Sequence, residues 1–314
     1  PPMELGPGKI IARRAAFELQ KNSIINLGIG MPEGVSNVAN EEKIMEYITL
    51  TAEPGIIGGL PAGGLSFGAG TNPDCVIDQP YQFDYYDGGG LDCCFLGLAQ
   101  ADKEGNLNVS KFGPKFAGCG GFINISQSAR KVVFVGTFTA RGLKISVIDG
   151  KLRIDEEGTE KKFLNAVEHV TFSGRHAVKN GTPVLFITER CVLSLTKKGM
   201  ELIEVAPGID IEKDILSQMG FRPVMKKPPR LMDKRIFMPE PMRLKDDLMS
   251  LSMEERLTYD PEENLFFVNF EGLRIRSRDD IREVEEKVSA ILSPLGRKVG
   301  AIVNYDNFDI VPEL

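Results

Sequence analysis

The chain has 314 residues, of which 42% are hydrophobic and 26% charged, the proportions of an ordinary globular protein with room for one large α/β domain, or for a large one with a small appendage. A net charge of -6 and a pI near 5.3 argue against a duplex nucleic-acid binder, which carries a basic face. Five cysteines (Cys75, Cys93, Cys94, Cys119, Cys191) without a C-x-x-C pair, and two histidines (His169, His176), leave neither a disulfide framework nor a metal site to expect; they read as reduced thiols of a cytoplasmic protein.

Residues 1–8 read as a linker, with Pro1-Pro2-Met3 an unusual opening that suggests a cut from something longer. The spacing of Ile10, Ile11, Ala15 and Leu19 predicts a helix from Lys9 to Gln20. Ile24-Ile25-Asn26-Leu27 is a short buried strand that runs into Gly28-Ile29-Gly30-Met31-Pro32, and a second helix is expected over Gly34–Ala39. The strand Tyr47–Thr51 leads into Ala52-Glu53-Pro54-Gly55. Apolar strands alternating with helices predict an α/β fold, an open and mainly parallel sheet with helices on both faces.

The middle is dense in glycine, from Gly55 to Gly70, at Gly88-Gly89-Gly90 and at Gly118-Cys119-Gly120-Gly121. Cys93–Gly97, Lys131–Gly136 and Val184–Thr188 are further strands, Val192–Leu195 continues the last, and Lys144–Ile154 is a hairpin turned at Asp149-Gly150. Met225–Met253 is expected to wrap the surface, and its cations Lys226, Lys227, Arg230, Lys234 and Arg235, interleaved with Pro228 and Pro229, read as a solvated linker. A strand over Leu265–Ile275, a helix over Arg278–Leu292 capped by Ser277 with Asp280, and a strand over Val299–Tyr305 close the chain. The expected domains are therefore 9–258, and a C-terminal β–α–β segment, 259–314, packed on it. No apolar run approaches a membrane span, and the sequence opens without a signal-peptide pattern.

Common catalytic signatures are missing. There is no P-loop and no G-x-S-x-G elbow. Gly28-Ile29-Gly30 starts like a dinucleotide turn, but Glu33 stands where the third glycine belongs. What remains is Glu53, leaving the carboxyl end of a buried strand, where open α/β sheets hold their ligands. Pro54 biases it toward an extended backbone. Seven glycines in the sixteen residues from Gly55 to Gly70 cost folding entropy, and such a loop suits a bulky ligand lying against bare backbone. Position alone leaves a plainer reading open, a glutamate that caps the next helix or pairs with a surface lysine.

Asn26-Leu27-Gly28-Ile29-Gly30-Met31-Pro32 resembles the segment that opens the β-type half of family I coenzyme A transferases. Glu53 with its glycine-rich turn falls where that family carries its catalytic glutamate, and Gly118-Cys119-Gly120-Gly121-Phe122 is similar to its later G-x-G-G segment. Asp84–Asp92 and Ile203–Asp210 are also similar to it. The likeness is nearest to bacterial enzymes that fuse both halves, the acetate and propionate CoA-transferases, and covers nearly the whole chain.

The resemblance implies the CoA-transferase fold and a ping-pong transfer of CoA between a short-chain acyl-CoA and a carboxylate, through a glutamyl–CoA thioester on Glu53. It implies no cofactor and no metal, CoA being substrate and covalent intermediate. Backbone N–H groups of Gly120 and Gly121 would form the oxyanion hole; a tight turn is the plainer reading of both. Gly28, Gly30, Gly58, Gly59, Gly63 and Gly64 would line the CoA and substrate loop, with Phe67, Phe83, Phe116 and Phe122 as a dry lining. The α-type half is absent, so a separate chain or a missing N-terminal segment would supply it, and the complete enzyme would be a homo-oligomer. Lys144 and Arg141 are candidates for CoA phosphates. Glu189 is either a supporting acid or an ordinary partner of Arg190, Asp92 either lines the site or is structural, and Cys119 is expected to be inert. The competing readings are a sugar-phosphate-binding or isomerase module of the same fold, and a non-catalytic subunit.

Overall fold

The computed structural model describes residues 3–249 and 251–310, which fall into two compact units divided between Lys245 and Asp246. Naming the elements used below, the first unit runs α1 (Pro7–Ala16), β1 (Ile24–Leu27), α2 (Glu33–Glu41), β2 (Thr49–Ala52), β3 (Ile56–Ile57), β4 (Cys75–Val76), α3 (Gln79–Asp87), β5 (Cys93–Gly97), α4 (Phe122–Ser128) and β6 (Val132–Val135). It continues through the hairpin β7 (Lys144–Ile148) and β8 (Lys151–Glu156), α5 (Gly174–Asn180), β9 (Val184–Ile187), β10 (Cys191–Thr196), β11 (Gly199–Val205) and β12 (Arg230–Leu231).

Ten strands form one sheet in the order β12-β11-β10-β9-β6-β5-β1-β2-β3-β4. The five central ones, β9-β6-β5-β1-β2, are parallel, as their continuous apolar sequences predict. Antiparallel pairing extends the sheet on both sides, β10 and β11 beyond β9, and β3 and β4 beyond β2. From β1 the chain moves outward to β2, then returns past β1 to β5 and continues the opposite way to β6 and β9. The connections leaving β1 and β5 therefore part, opening a crevice at their carboxyl ends where such folds bind ligands.

Strand register sorts the side chains into two faces. Cys94, Leu96, Val132, Phe134, Val184 and Phe186 share one core cluster with Phe122 and Ile125 of α4, Ala129 just after it, and Ala177 of α5. Asn26 and Thr51, paired in register with each other and with Cys94, lie on that same face. On the other face α1 and α2 pack together, α1 over β6 and β9 and α2 over β1.

The buried cations of α1 tie distant parts of this unit. Arg13 donates to the carbonyls of Arg235, Met238 and Glu240, and Arg14 forks onto both oxygens of Glu204 at 2.6 and 2.9 Å. Burial pushes the Glu204 carboxyl up, but hydrogen bonds and charge from Arg14 and Arg230 outweigh it and hold the carboxyl below its ordinary range.

In the second unit the strands Leu257–Asp260 and Leu265–Asn269 pair antiparallel, and Gly300–Asn304 joins the latter in parallel. The helix Arg278–Leu292 starts at a complete capping box made by Ser277 and Asp280, as read from the sequence.

Several boundaries differ from the sequence reading. The first helix covers Pro7–Ala16 rather than Lys9–Gln20, because proline fits the first turn, where its missing N–H is not needed. The expected domain limit at 258/259 would cut the strand Leu257–Asp260, so the division falls earlier, at Lys245. The strand expected over Leu265–Ile275 is broken after Asn269 by a turn with Gly272 at φ +64°, and Arg274–Ile275 pairs instead with Asp309–Ile310. Asp149 and Gly150 turn the hairpin at φ +51° and +71°, as their sequence predicts. Pro1 and Pro2 of the expected linker, and residues 311–314, lie outside the described residues.

A group whose folded pKa is depressed stabilises the fold fully above its unfolded pKa, about 4.3 for glutamate, and loses that contribution as the pH falls through the folded value. Glu204→Gln should therefore flatten the acid limb of the stability curve below about pH 4.5. At pH 7 the variant should be less stable by about 1–3 kcal/mol, because buried Arg14 loses the charge of one carboxylate partner and keeps the other, Glu18. Urea unfolding of wild type and variant across pH checks both.

Candidate active site

Glu53 sits at the tip of a three-residue reversal between β2 and β3, where Ala52 pairs with Ile56. The turn is closed by the Gly55 N–H donating to the Ala52 carbonyl at 3.0 Å. Gly55 has φ +120°, and a Cβ there would stand 1.9 Å from the carbonyl oxygen of Ile77. No other residue fits. The turn directs the half-buried Glu53 to the crevice side of the sheet, as its place at a strand end predicts.

Both carboxylate oxygens meet a donor. The Gly121 backbone N–H points at Oε2 and the Gln79 side-chain amide at Oε1, each at 3.3 Å. A Cβ on Gly121 would lie 2.6 Å from both Glu53 Oε2 and Phe83 Cζ, so only glycine brings this N–H to the acid. Gly120, at φ +51°, flanks it; a Cβ there would stand 4.0 Å from each oxygen.

Beside Glu53 lies a cavity of about 230 Å³ between the ends of β1 (Asn26 to Ile29) and β5 (Leu96, Gly97), closed by Phe67, Val109, Cys119, Phe122 and Ile125. Two of the four phenylalanines expected as lining, Phe67 and Phe122, are there. Phe83 packs against Gly121 instead, and Phe116 is 76% exposed on a short hairpin with Lys111 over its ring, so it seals nothing in this chain.

The sequence reading missed the support beneath the acid. Tyr86, fully buried, donates to Thr51 Oγ1 at 2.9 Å and accepts from the amides of Asn26 (3.0 Å) and Gln82 (2.7 Å). Gln82 also reaches the carbonyl of Ala52, the residue before the acid. Burial, with the charge of Glu53 adding a smaller effect, pushes the Tyr86 phenol up, and hydrogen bonds from its three partners only partly oppose it; it stays a neutral hydrogen-bond hub. Gln79, Gln82, Phe83 and Tyr86 follow helical i, i+3, i+4, i+7 spacing, so a single face of α3 serves Glu53. That spacing was the available signal.

The glycines expected to cradle CoA have internal work. The Gly28 N–H bonds the Phe95 carbonyl at 2.9 Å. Glu33, the residue that spoils the dinucleotide pattern, accepts from the N–H groups of both Gly30 (2.8 Å) and Gly64 (3.2 Å), clamping two loops together. A side chain at Gly63 would strike the Glu33 carboxylate, at Gly58 the Asp74 side chain, and at Gly59 the carbonyls of Thr71 and Asn72.

Other candidates resolve as structural. Glu189 pairs with Arg190 at 2.6 Å, both fully buried, and accepts the Phe138 N–H, while Arg190 also reaches Glu157 and faces the Phe138 ring. Nearby burial pulls the Lys162 amine down to about 8, with Glu189 opposing. Asp92 accepts the Ile24 N–H and pairs with Arg130. Arg141 and Lys144 form exposed ion pairs with Glu160 and Glu156. Lys226, Arg230 and Arg235 of the basic stretch pair with Glu201, Glu204 and Asp233. Cys93, Cys94 and Cys191 are buried, whereas Cys75 is exposed and Cys119 lines the cavity, so not all five pack as core. Among the described residues no three metal-binding side chains cluster, and no helix is long and apolar enough to cross a membrane.

Glu53 thus stands at the switch point of a mostly parallel α/β sheet, held by one backbone and one side-chain donor beside an apolar cavity, a place where a carboxylate can act as a nucleophile shielded from water. Comparison with known proteins then gives the family. The acetate CoA-transferase YdiF of Escherichia coli (strain K12) is 46% identical over 235 residues, 75% of this chain and 44% of YdiF. The crystal structure of YdiF from E. coli O157:H7 as a thioester complex with CoA matches with a TM-score of 0.72 at 44% identity, over 76% of this chain and 46% of that one. The caffeate CoA-transferase of Acetobacterium woodii is 49% identical over 242 residues, 76% of this chain and 46% of its own length. The acetate CoA-transferase subunit beta of E. coli K12 is 31% identical over 212 residues, 64% of this chain and 86% of that subunit. No protein-family model matches the chain. The chain belongs to the CoA-transferase family, and it spans about half the length of the YdiF and caffeate CoA-transferase chains it matches.

Gly121→Ala should push the Glu53 carboxylate out of its seat, since the added methyl would stand only 2.6 Å from Oε2. The expected outcome is loss of the Gly121 N–H···Oε2 bond in a crystal structure of the variant, with a melting temperature lowered by only a few degrees.

Proposed function

We propose that the chain is the β-type half of an acyl-CoA:carboxylate CoA-transferase, with Glu53 as its nucleophile. The carrying observation is the Glu53 carboxylate, presented at the cavity with an N–H donor on each oxygen.

A carboxylate oxygen of Glu53 attacks the thioester carbonyl; the C–S bond breaks and CoA thiolate leaves, giving a glutamyl–acyl anhydride. The thiolate then attacks the glutamyl carbonyl, the bond from the glutamyl carbon to the bridging oxygen breaks, and the carboxylate product departs with that oxygen and the bonding electrons. Glu53 now carries CoA as a thioester. An incoming carboxylate runs the two steps backward and leaves as a new acyl-CoA, so the kinetics are ping-pong. No net proton transfer is required. Each addition places negative charge on an oxygen, and the Gly121 N–H, with Gly120 beside it, is the backbone donor for it. The existence of a relative as a thioester complex with CoA supports the covalent route.

An α-type half completes the enzyme, either as a second chain or as an N-terminal segment. The match to a separate subunit beta supports this partner, and so do Ile29 and Leu65, apolar side chains 60% and 110% exposed on the loops around the cavity. The complete enzyme is read as a homo-oligomer in the cytoplasm, in keeping with five free thiols. Acetyl-CoA and propionyl-CoA are the proposed donors, without a cofactor.

The test joins this chain to its α-type half and incubates it with acetyl-CoA. Mass spectrometry should find CoA on the peptide containing Glu53, borohydride should reduce that thioester to the alcohol, and Glu53→Gln should lose the adduct together with at least about 1,000-fold in turnover. A complete enzyme that exchanges acyl groups without any adduct on Glu53 would refute the assignment.

A further inference from the structure

The polar hub under Glu53 has a forced direction. The Ile25 carbonyl only accepts, so the Thr51 hydroxyl must give it its proton, at 2.9 Å. Thr51 Oγ1 then accepts from Tyr86, whose single proton is spent. Asn26 and Gln82 must each turn an N–H toward the phenol oxygen, and the second acceptor of Gln82, the Ala52 carbonyl, imposes the same orientation. The amide oxygens of Asn26 and Gln82 are left buried without a partner among the described residues. An apolar filling would avoid that cost. What the hub adds is register: it ties β1, β2 and α3 together and leaves the helix no freedom to rotate against the strand end that bears the acid.

The helix residue delivered by this arrangement is Gln79, whose amide must face Glu53 with its nitrogen, since a carboxylate only accepts. Gly121 holds one oxygen and Gln79 the other. Building on the CoA-transferase reading above, we infer that Gln79 is a further catalytic residue, the side-chain counterpart of the Gly121 N–H, and that Tyr86 is its positioning residue. In the second step one Glu53 oxygen is the bridge of the anhydride and the other is the glutamyl carbonyl oxygen. Thiolate attack forms the C–S bond and moves the carbonyl electron pair onto that oxygen; collapse returns the pair and expels the carboxylate with the electrons of the C–O bond. With a donor at each oxygen, whichever one bridges, the other keeps an N–H for the developing charge. Bonds of 3.3 Å to the resting carboxylate are expected to shorten as charge grows.

The experiment uses the complete two-half enzyme. Gln79→Leu should lower kcat by about ten- to a hundredfold with the KM for acyl-CoA within about twofold, and should slow formation of the Glu53–CoA adduct in proportion. Gln79→Glu, which replaces the donor by a like charge without changing size, should fall at least as far. Gln79 is exposed, so both variants should melt with wild type. Tyr86→Phe should lower kcat as well, and the double variant Gln79→Leu/Tyr86→Phe should be no slower than Gln79→Leu alone, since the tyrosine acts through the glutamine. Wild-type kcat in Gln79→Leu, with the adduct forming normally, overturns the role of Gln79 and leaves the CoA-transferase reading intact. Fully additive losses overturn the role of Tyr86. A wild-type enzyme without a Glu53 adduct takes both readings down.

Discussion

The chain can reverse after β2 only because Gly55 has no side chain. Its α-carbon is pressed against the carbonyl of Ile77 in a backbone conformation that other residues avoid, and its own carbonyl accepts the Ile77 N–H at 3.0 Å. Ile77 stands two residues before α3 begins. The same contact therefore sets where Glu53 points and where the helix carrying Gln79, Gln82, Phe83 and Tyr86 starts. The acid and its supports are placed by one close approach rather than by separate pieces of the fold. Gly121 closes the arrangement from the other side, again where a methyl group would collide.

Much of this was legible in the sequence, for physical reasons that differ from residue to residue. Apolar runs such as Val132–Val135 announce strands buried on both faces, and Pro54 with Gly55 announces a turn at a strand end, so the parallel sheet and the place of Glu53 follow. Ser277 and Asp280 state a helix start in their own chemistry. The hub around Tyr86 was not legible in the same way, because it joins residues 26, 51, 82 and 86 through register, and register exists only once strands are paired. The helical spacing from Gln79 to Tyr86 was visible, yet its polar members do not form an apolar stripe and attract no notice as core.

Glycine counting misled in part. The loop from Gly55 to Gly70 suggests bare backbone kept for a ligand, whereas Gly58, Gly59 and Gly63 are small because Asp74, the Asn72 backbone and Glu33 need the space. Glu33 is instructive. It rules out a dinucleotide turn in the sequence, and in the structure it does what a bound anion does in such a turn, drawing backbone N–H groups from two loops onto a negative charge that the chain supplies itself. Charge buried elsewhere follows ordinary rules: Glu189 with Arg190 and Glu204 with Arg14 lie deep in the unit, paired and hydrogen-bonded, so that neither half is free for chemistry.

The forced direction of the hydrogen bonds around Tyr86 has a hereditary consequence. A chain of donors and acceptors in which every proton is assigned cannot be edited one letter at a time: swapping a single member leaves donor facing donor or strips an acceptor of its only gift. Asn26, Thr51, Gln82 and Tyr86 should pass through evolution as one word, kept whole or rewritten together, although 60 residues separate the first from the last.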